Sequence, residues 1–166
     1  MSHTLNINNM PTRTWSWLKI NSTPFSTDAV FSGDGNPHTA ELPEGVEYSE
    51  RVSAAQYAKL ETGCGTEIGT HFFKNAEASL FTVKKGRHIK TPLVIDFDLN
   101  DKSATSAFQI IKAEEGASVT VIFRYRSPKT AGGTQILRTI CDAGKNAFIH
   151  LVKVQLLGDG FVQVDD

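Results

Sequence analysis

Residues 113–119 read AEEGASV, and the same corner recurs as VKKGRHI at 83–89 and as CDAGKNA at 141–147. Each has a small or apolar residue, two polar or small residues, a glycine, two more polar or small residues, then an apolar or small one. The glycines are Gly86, Gly116 and Gly144, spaced 30 and 28 residues apart. Apolar or small residues alternate into each corner: Phe81 and Val83, Ile111 and Ala113, Thr139 and Cys141. Apolar runs leave them: Ile89 to Phe97, Val119 to Tyr125, Ala147 to Leu156. A unit of this length, with two strands and a fixed corner, is the signature of a stacked coil. One coil cannot bury its inner face alone; equivalent coils laid on one another pair their backbones and share an interior. Glycine at the corner admits a positive φ at no steric cost. The spacing predicts a right-handed parallel β-helix, or a close variant, over 79–166, incomplete at its C-terminal end. The competing reading is an antiparallel β-sandwich or jelly roll whose turns happen to contain glycine.

The strand assignment rests on texture. From about Leu80 the chain runs through LFTV, PLVIDFDL, FQIIKA, SVTVIFRYR, QILRTIC and FIHLVKVQL. These runs are rich in Val, Ile, Phe and Thr, alternate with period two, and are bounded by turn residues. Residues 1–78 read instead as a mixed helical and loop region. A helix is expected around Thr12–Ile20, after Pro11, with Trp15, Leu18 and Trp17 on its apolar side. A second is expected over about Ser53–Thr62, with Ala54, Tyr57, Ala58 and Leu60 apolar and Gly63 past its end. Between them SGDGNPHTAELPEG is a loop.

The chain has 166 residues, enough for one domain with a real core. A formal net charge of −1 provides no global basic field for nucleic acid or an anionic membrane. No apolar run approaches the roughly 20 residues of a spanning helix. The start, MSHTLNINNMPTRTW, lacks the apolar segment of a secretory signal, so the chain reads as cytoplasmic. Cys64 and Cys141 lie far apart, which excludes a disulfide framework and a self-contained zinc site.

Each candidate constellation has a structural explanation. Cys141, inward at its corner and equivalent to Val83 and Ala113, reads as a small buried thiol. Cys64, in ETGCGTEIG, has a glycine on either side and His71 seven residues on. One thiolate and one imidazole do not complete a four-coordinate site, so it reads as a loop cysteine. DFDLND places Asp96, Asp98, Asn100 and Asp101 at calcium-loop spacing, but Asp101 stands where glycine is needed and Ala107 where glutamate is needed. These acids read as the solvent face of a strand. GCGTEIG at 63–69 lacks the spacing and the lysine of a phosphate loop. FRYR at 123–126, with Lys129, reads as a solvated basic strand end. His3, His38, His71, His88 and His150 are scattered, and no serine sits in a nucleophile elbow. His150, between Ile149 and Leu151, is expected to face outward. The two tryptophans, with Leu18, could pack on the coil or anchor a partner. The residues thus assign no catalytic, metal or cofactor-binding group.

Four stretches carry a resemblance. PTRTWSWLKINSTPF at 11–25 is similar to the N-terminal segment of SufD-like proteins. THFFKNAEASLFTVKKGRHIKTPLVIDF at 70–97 resembles the start of the β-helix in the SufB/SufD family, through Asn75, Ala76, Gly86 and Pro92. IIKAEEGASVTVIFRYRS at 110–127 resembles the next coil, and ICDAGKNAFIHLVKVQLLG at 140–158, with Ala147 and Gln155, the one after. The motifs are individually degenerate; their order and spacing carry the likeness across nearly the whole chain. The resemblance implies a parallel β-helix flanked by helical segments. It also implies a non-catalytic scaffold for iron–sulfur cluster assembly, working with a SufB-type partner and a SufC-type ATPase. Full members of the family continue through further coils to an ATPase-docking segment and to the cysteine and histidine proposed to meet the cluster. The chain reads as the N-terminal portion of such a protein, so no residue here inherits those roles. No cofactor is expected on this segment, and a cluster only in the full complex. Residues 1–166 alone are expected to bind the ATPase weakly or not at all, and to offer an uncovered coil end through which copies could associate.

The alternative is a stand-alone β-helix or β-sandwich binding carbohydrate or a protein partner. Tyr125 alone makes no outward aromatic row. A carbohydrate-active β-helix enzyme would need acids on consecutive coils, and SVTVIFRYR has none to match Asp96 and Asp98.

Overall fold

The structure, a computed structural model, describes residues 3–8, 22–31, 42–57, 60, 62, 65–73 and 76–166. The N-terminal part supplies strands β1 (His3–Ile7), β2 (Thr23–Thr27) and β3 (Val46–Ser53), and helix α1 (Thr66–Phe72). Strands β4 (Glu77–Val83), β5 (Leu93–Asp98), β6 (Ser103–Ala113), β7 (Ser118–Arg126), β8 (Gly132–Ala143), β9 (Phe148–Leu156) and β10 (Gly160–Asp165) follow. The protein is mainly β, and its principal pairings are parallel.

From β4 onward the chain alternates between two sheets. One has the order β10-β8-β6-β4-β3, the other β5-β7-β9. Every pairing among β4 to β10 is parallel, so these strands are not an antiparallel sandwich. Phe81 stacks on Ile111, and Ile111 on Cys141, at steps of 30 residues. In the other sheet Leu93 lies beside Val121, a step of 28, and Ser118 beside Phe148, a step of 30.

The corner column differs from the one predicted in its third member. Gly86 and Gly116 have φ of 70° and 68°, and the residue that continues them is Asn146, at 58°. The backbone N–H of Gly86 donates to the carbonyl of Glu115, and that of Gly116 to the carbonyl of Lys145. AGKNA, not CDAGK, is therefore the counterpart of AEEGA, and both steps are 30. Asparagine tolerates the left-handed region better than other non-glycine residues. Gly144 does other work. A Cβ there would lie 2.8 Å from the Glu115 nitrogen, so the previous coil's backbone occupies its space.

The two-residue offset corrects the reading of Cys141. It stacks on Ile111, while Ala143 takes the place beside Ala113. The thiol is exposed rather than buried, because β10 covers β8 only from Gly132 to Leu137. Burial by the remaining walls still raises its pKa, an effect that Lys153 partly offsets.

Two cores result. Between the sheets Phe81, Val83, Leu93, Ile95, Phe97, Ile111, Val121 and Phe123 pack together. Full burial of one such side chain is worth about 1.5–3 kcal/mol. On the outer face of the five-stranded sheet Phe108, Ile110, Ile136 and Val164 pack against Ile68 and Phe73 and against Ile7 and Phe25 of β1 and β2. That sheet is thus buried on both sides.

The second predicted helix does not form where its described residues lie. Ser53 ends β3, and Ala54 and Tyr57 instead carry turn bonds, Tyr57 N–H to Ala54 O at 2.9 Å and Leu60 N–H to Tyr57 O at 3.1 Å. At the start of this stretch β3 takes Ser53, paired with Glu77; earlier in the strand Val46 and Tyr48 lie beside Val83 and Phe81, antiparallel on β4. The helix forms later, in the stretch read as a glycine-rich loop. Gly65 at φ 87° starts it, Glu67 lies in its first turn and His71 in its last. The predicted helix at 12–20 with its tryptophans, together with Cys64, His38 and Asn75, lies outside the described residues.

Candidate functional site: the last rung of the stack

The interior changes character along the stack. Down one inward column the residues are Ile95, Phe123 and Lys153; down the next, Phe97, Tyr125 and Gln155. In the facing sheet Ala107 gives way to Leu137 and then Asp165, and Thr105 to Gln135 and Gln163. The shared interior is therefore mixed: Ser79 and Gln109 are already buried on its first two rungs, and polar groups predominate at the last. At the last rung Lys153 Nζ lies 2.6 Å from Asp165 Oδ1. Gln155 donates to Gln163, which donates to Gln135 Oε1 at 2.8 Å. Cys141 lies further along β8, four residues past Leu137, the partner of Asp165.

Three large apolar side chains of β9 and β10 are exposed beside this rung. Phe148 is 64% exposed, Leu156 60% and Val162 51%. Neither β9 nor β10 has a strand on its outer edge among the described residues. An edge of that kind presents a row of backbone donors and acceptors to a partner strand.

Tyr125 lies on the rung before the last, in the column that continues to Gln155. It is fully buried and stacks on Phe97 at 5.0 Å, and its hydroxyl meets no hydrogen-bond partner among the described residues. Burial, then the nearby Asp165 carboxylate, push its pKa well above the ordinary value of 10.0. A tyrosine whose folded pKa lies above its unfolded one contributes stability that is intact below about pH 10 and lost as pH rises beyond it. We expect Tyr125→Phe to lessen the fall in urea midpoint between pH 9 and pH 11. Equal falls in both proteins would show that Tyr125 ionises without resistance.

The other predicted constellations are distributed as follows. DFDLND and FRYR, read separately, are one ladder. Asp96 pairs with Arg124 and Asp98 with Arg126 across β5 and β7. Arg124 holds both Asp96 oxygens at 2.6 Å, and Arg126 Nε reaches Asp98 at 2.9 Å. Asp96 is 4% exposed, so its expected place on the solvent face is corrected: two guanidinium groups cover it. Such fork-to-carboxylate pairing is the strong form of charge-assisted bonding. Tyr125, between those arginines, faces inward. Asp101 accepts from the Gly132 N–H at 2.9 Å. His150 is exposed on β9, while Ile149 and Leu151 pack on the core. His71 contacts the Phe72 ring.

Arg138 went unnoticed in the sequence, where an arginine within a strand reads as solvent-facing. It is fully buried on the outer face of the five-stranded sheet. Its Nε lies 3.4 Å from Asp166 Oδ2, it donates to the Leu60 carbonyl at 2.8 Å, and it lies over the Phe108 ring. Among the described residues no three of His, Cys, Asp and Glu converge as a metal set, and no helix is long and apolar enough to cross a membrane. Comparison with families of known proteins, with curated proteins and with solved structures finds no match.

Proposed function

We propose that the chain is a segment of right-handed parallel β-helix serving as a cytoplasmic, non-catalytic scaffold of the SufD-like kind. In this reading it assembles with a SufB-type partner and a SufC-type ATPase, and the iron–sulfur cluster is the cargo of that complex. The 30-residue register of β4, β6 and β8, with β5, β7 and β9 in a second parallel sheet, supports the coil. The partner function rests on one observation, the last rung. There β9 and β10 have no further strand beside them among the described residues, Phe148, Leu156 and Val162 are exposed, and an ion pair and an amide chain face one another. A partner ending in a similar coil could continue both sheets and cover those groups. The ion pair is partly exposed and is worth at most about 1 kcal/mol by itself, so covering and register would matter more than its charge.

The test is co-purification with a SufB-like protein and a SufC-like ATPase. A complex with the SufB-like protein is expected. Leu156→Asp together with Val162→Asp should weaken it at least tenfold while thermal unfolding stays unchanged. Failure to bind the SufB-like protein, or binding indifferent to both substitutions, overturns the reading.

A further inference from the structure

The opposite end of the stack carries a cleft of about 280 Å³ lined by Pro43, Glu44, Arg87, His88, Ile89, Lys90 and Thr91. It sits where the coil departs from its own repeat. His88 bridges to Ser118 at the 30-residue step, but Leu93 pairs with Val121 at a step of 28. Four residues therefore connect His88 to Leu93 where two connect Ser118 to Val121. The extra length falls at Ile89–Pro92 and builds one wall of the cleft. Irregularities that re-aim side chains gather beside functional sites in β proteins.

The charges are arranged unequally along this stretch. Lys84 is paired with Glu47 and Glu114, and Lys85 with Glu115. Arg87 and Lys90 form no ion pair with the described residues, although Glu44 lies in the same cleft. The Nδ1 of His88 is fixed by the Ser118 hydroxyl at 2.8 Å, which leaves Nε2 as the nitrogen available to a ligand. Thr91 adds a hydroxyl. A guanidinium, an ammonium, an imidazole and a hydroxyl within one small concavity suit a phosphoryl group, whose oxygens accept from several directions. Ile89 and Pro43 offer apolar wall to whatever the phosphate is attached to.

We propose that this cleft binds the phosphoryl group of a small phosphorylated ligand, with Arg87 and Lys90 supplying the charge and His88 a directional hydrogen bond. The site lies on the first coil and does not depend on the scaffold reading. The test is calorimetric titration of the whole chain with inorganic phosphate and with pyrophosphate at low salt, alongside backbone-amide NMR. Saturable binding is expected, with shifts concentrated at residues 87–91. Arg87→Ala and Lys90→Ala should each weaken it at least tenfold. Lys85→Ala, which removes the same charge outside the cleft, should leave it within twofold. Absence of saturable binding to both probes overturns the proposal. So does equal weakening by Lys85→Ala, which would mean that a diffuse positive field is responsible. Unchanged thermal midpoints establish that each variant is folded.

Discussion

Replacing Arg138 by methionine is expected to destabilise the protein by about 3–5 kcal/mol, the usual result of removing one partner of a buried ion pair. Methionine keeps most of the aliphatic stem on Phe108, so packing loss is small. What remains is the Asp166 carboxylate, 1% exposed, without its guanidinium, and a Leu60 carbonyl without its donor. Urea denaturation measures the effect directly. The double variant Arg138→Met with Asp166→Asn should recover part of the loss, since no unpaired charge is then buried. A single variant within 1 kcal/mol of the parent would mean that the pair is solvated in solution.

The second large effect separates the two kinds of corner glycine. Gly144→Ala is expected to cost about 2–3 kcal/mol, as overpacking does where the neighbours cannot move away. The added carbon would lie 2.8 Å from the Glu115 nitrogen and 3.0 Å from the Glu114 carbonyl carbon, both backbone atoms of the adjoining coil. Gly116→Val has space, with only Gly86 Cα at 3.9 Å, but must hold a branched residue at φ 68°. That strain amounts to about 1–2 kcal/mol. Thermal or urea midpoints of both variants rank them. If Gly116→Val proves the costlier, backbone conformation rather than contact between coils controls the corner.

Much of the fold was legible because it repeats. Period-two runs with β-branched and aromatic residues located β4 to β9, residue for residue at β7 and β9 but short at β6 and β8, and the recurring corner indicated that equivalent strands stack. The third corner was misaligned because glycine marks two different needs here. At 86 and 116 it provides a positive φ; at 144 it provides room, while Asn146 adopts the left-handed conformation. Nothing local distinguishes these two needs. GFVQVD was passed over as a strand because its single short run has turn residues beside it and its neighbour, Gly132–Leu137, is far away in sequence. In the N-terminal part the apolar spacing of 53–62 resembled a helix, but Ser53 is the end of a strand, paired with distant Glu77, and the described residues after it carry turn bonds.

The candidate sites were harder to read. Asp96 and Arg124 are each unremarkable alone; only the 28-residue step of β5 on β7 makes them a pair. The polar last rung was hidden in a similar way, by the steps of β9 on β7 and β10 on β8. Lys153, Gln155, Gln163 and Asp165 look like ordinary surface residues until the alternation of β9 and β10 places them inside. The cleft at Arg87–Thr91 depends on an extra loop length visible only against the coil beneath it.

The reversed strand β3 gives the molecule a direction. Lying antiparallel on β4, it offers the next neighbour a backbone running the wrong way for another identical turn, so the five-stranded sheet is closed to repetition on that side. Lengthening by duplication would then fall further along, in modules of 28 to 30 residues. Homologous chains of different lengths should therefore share their beginnings and differ in the number of modules that follow.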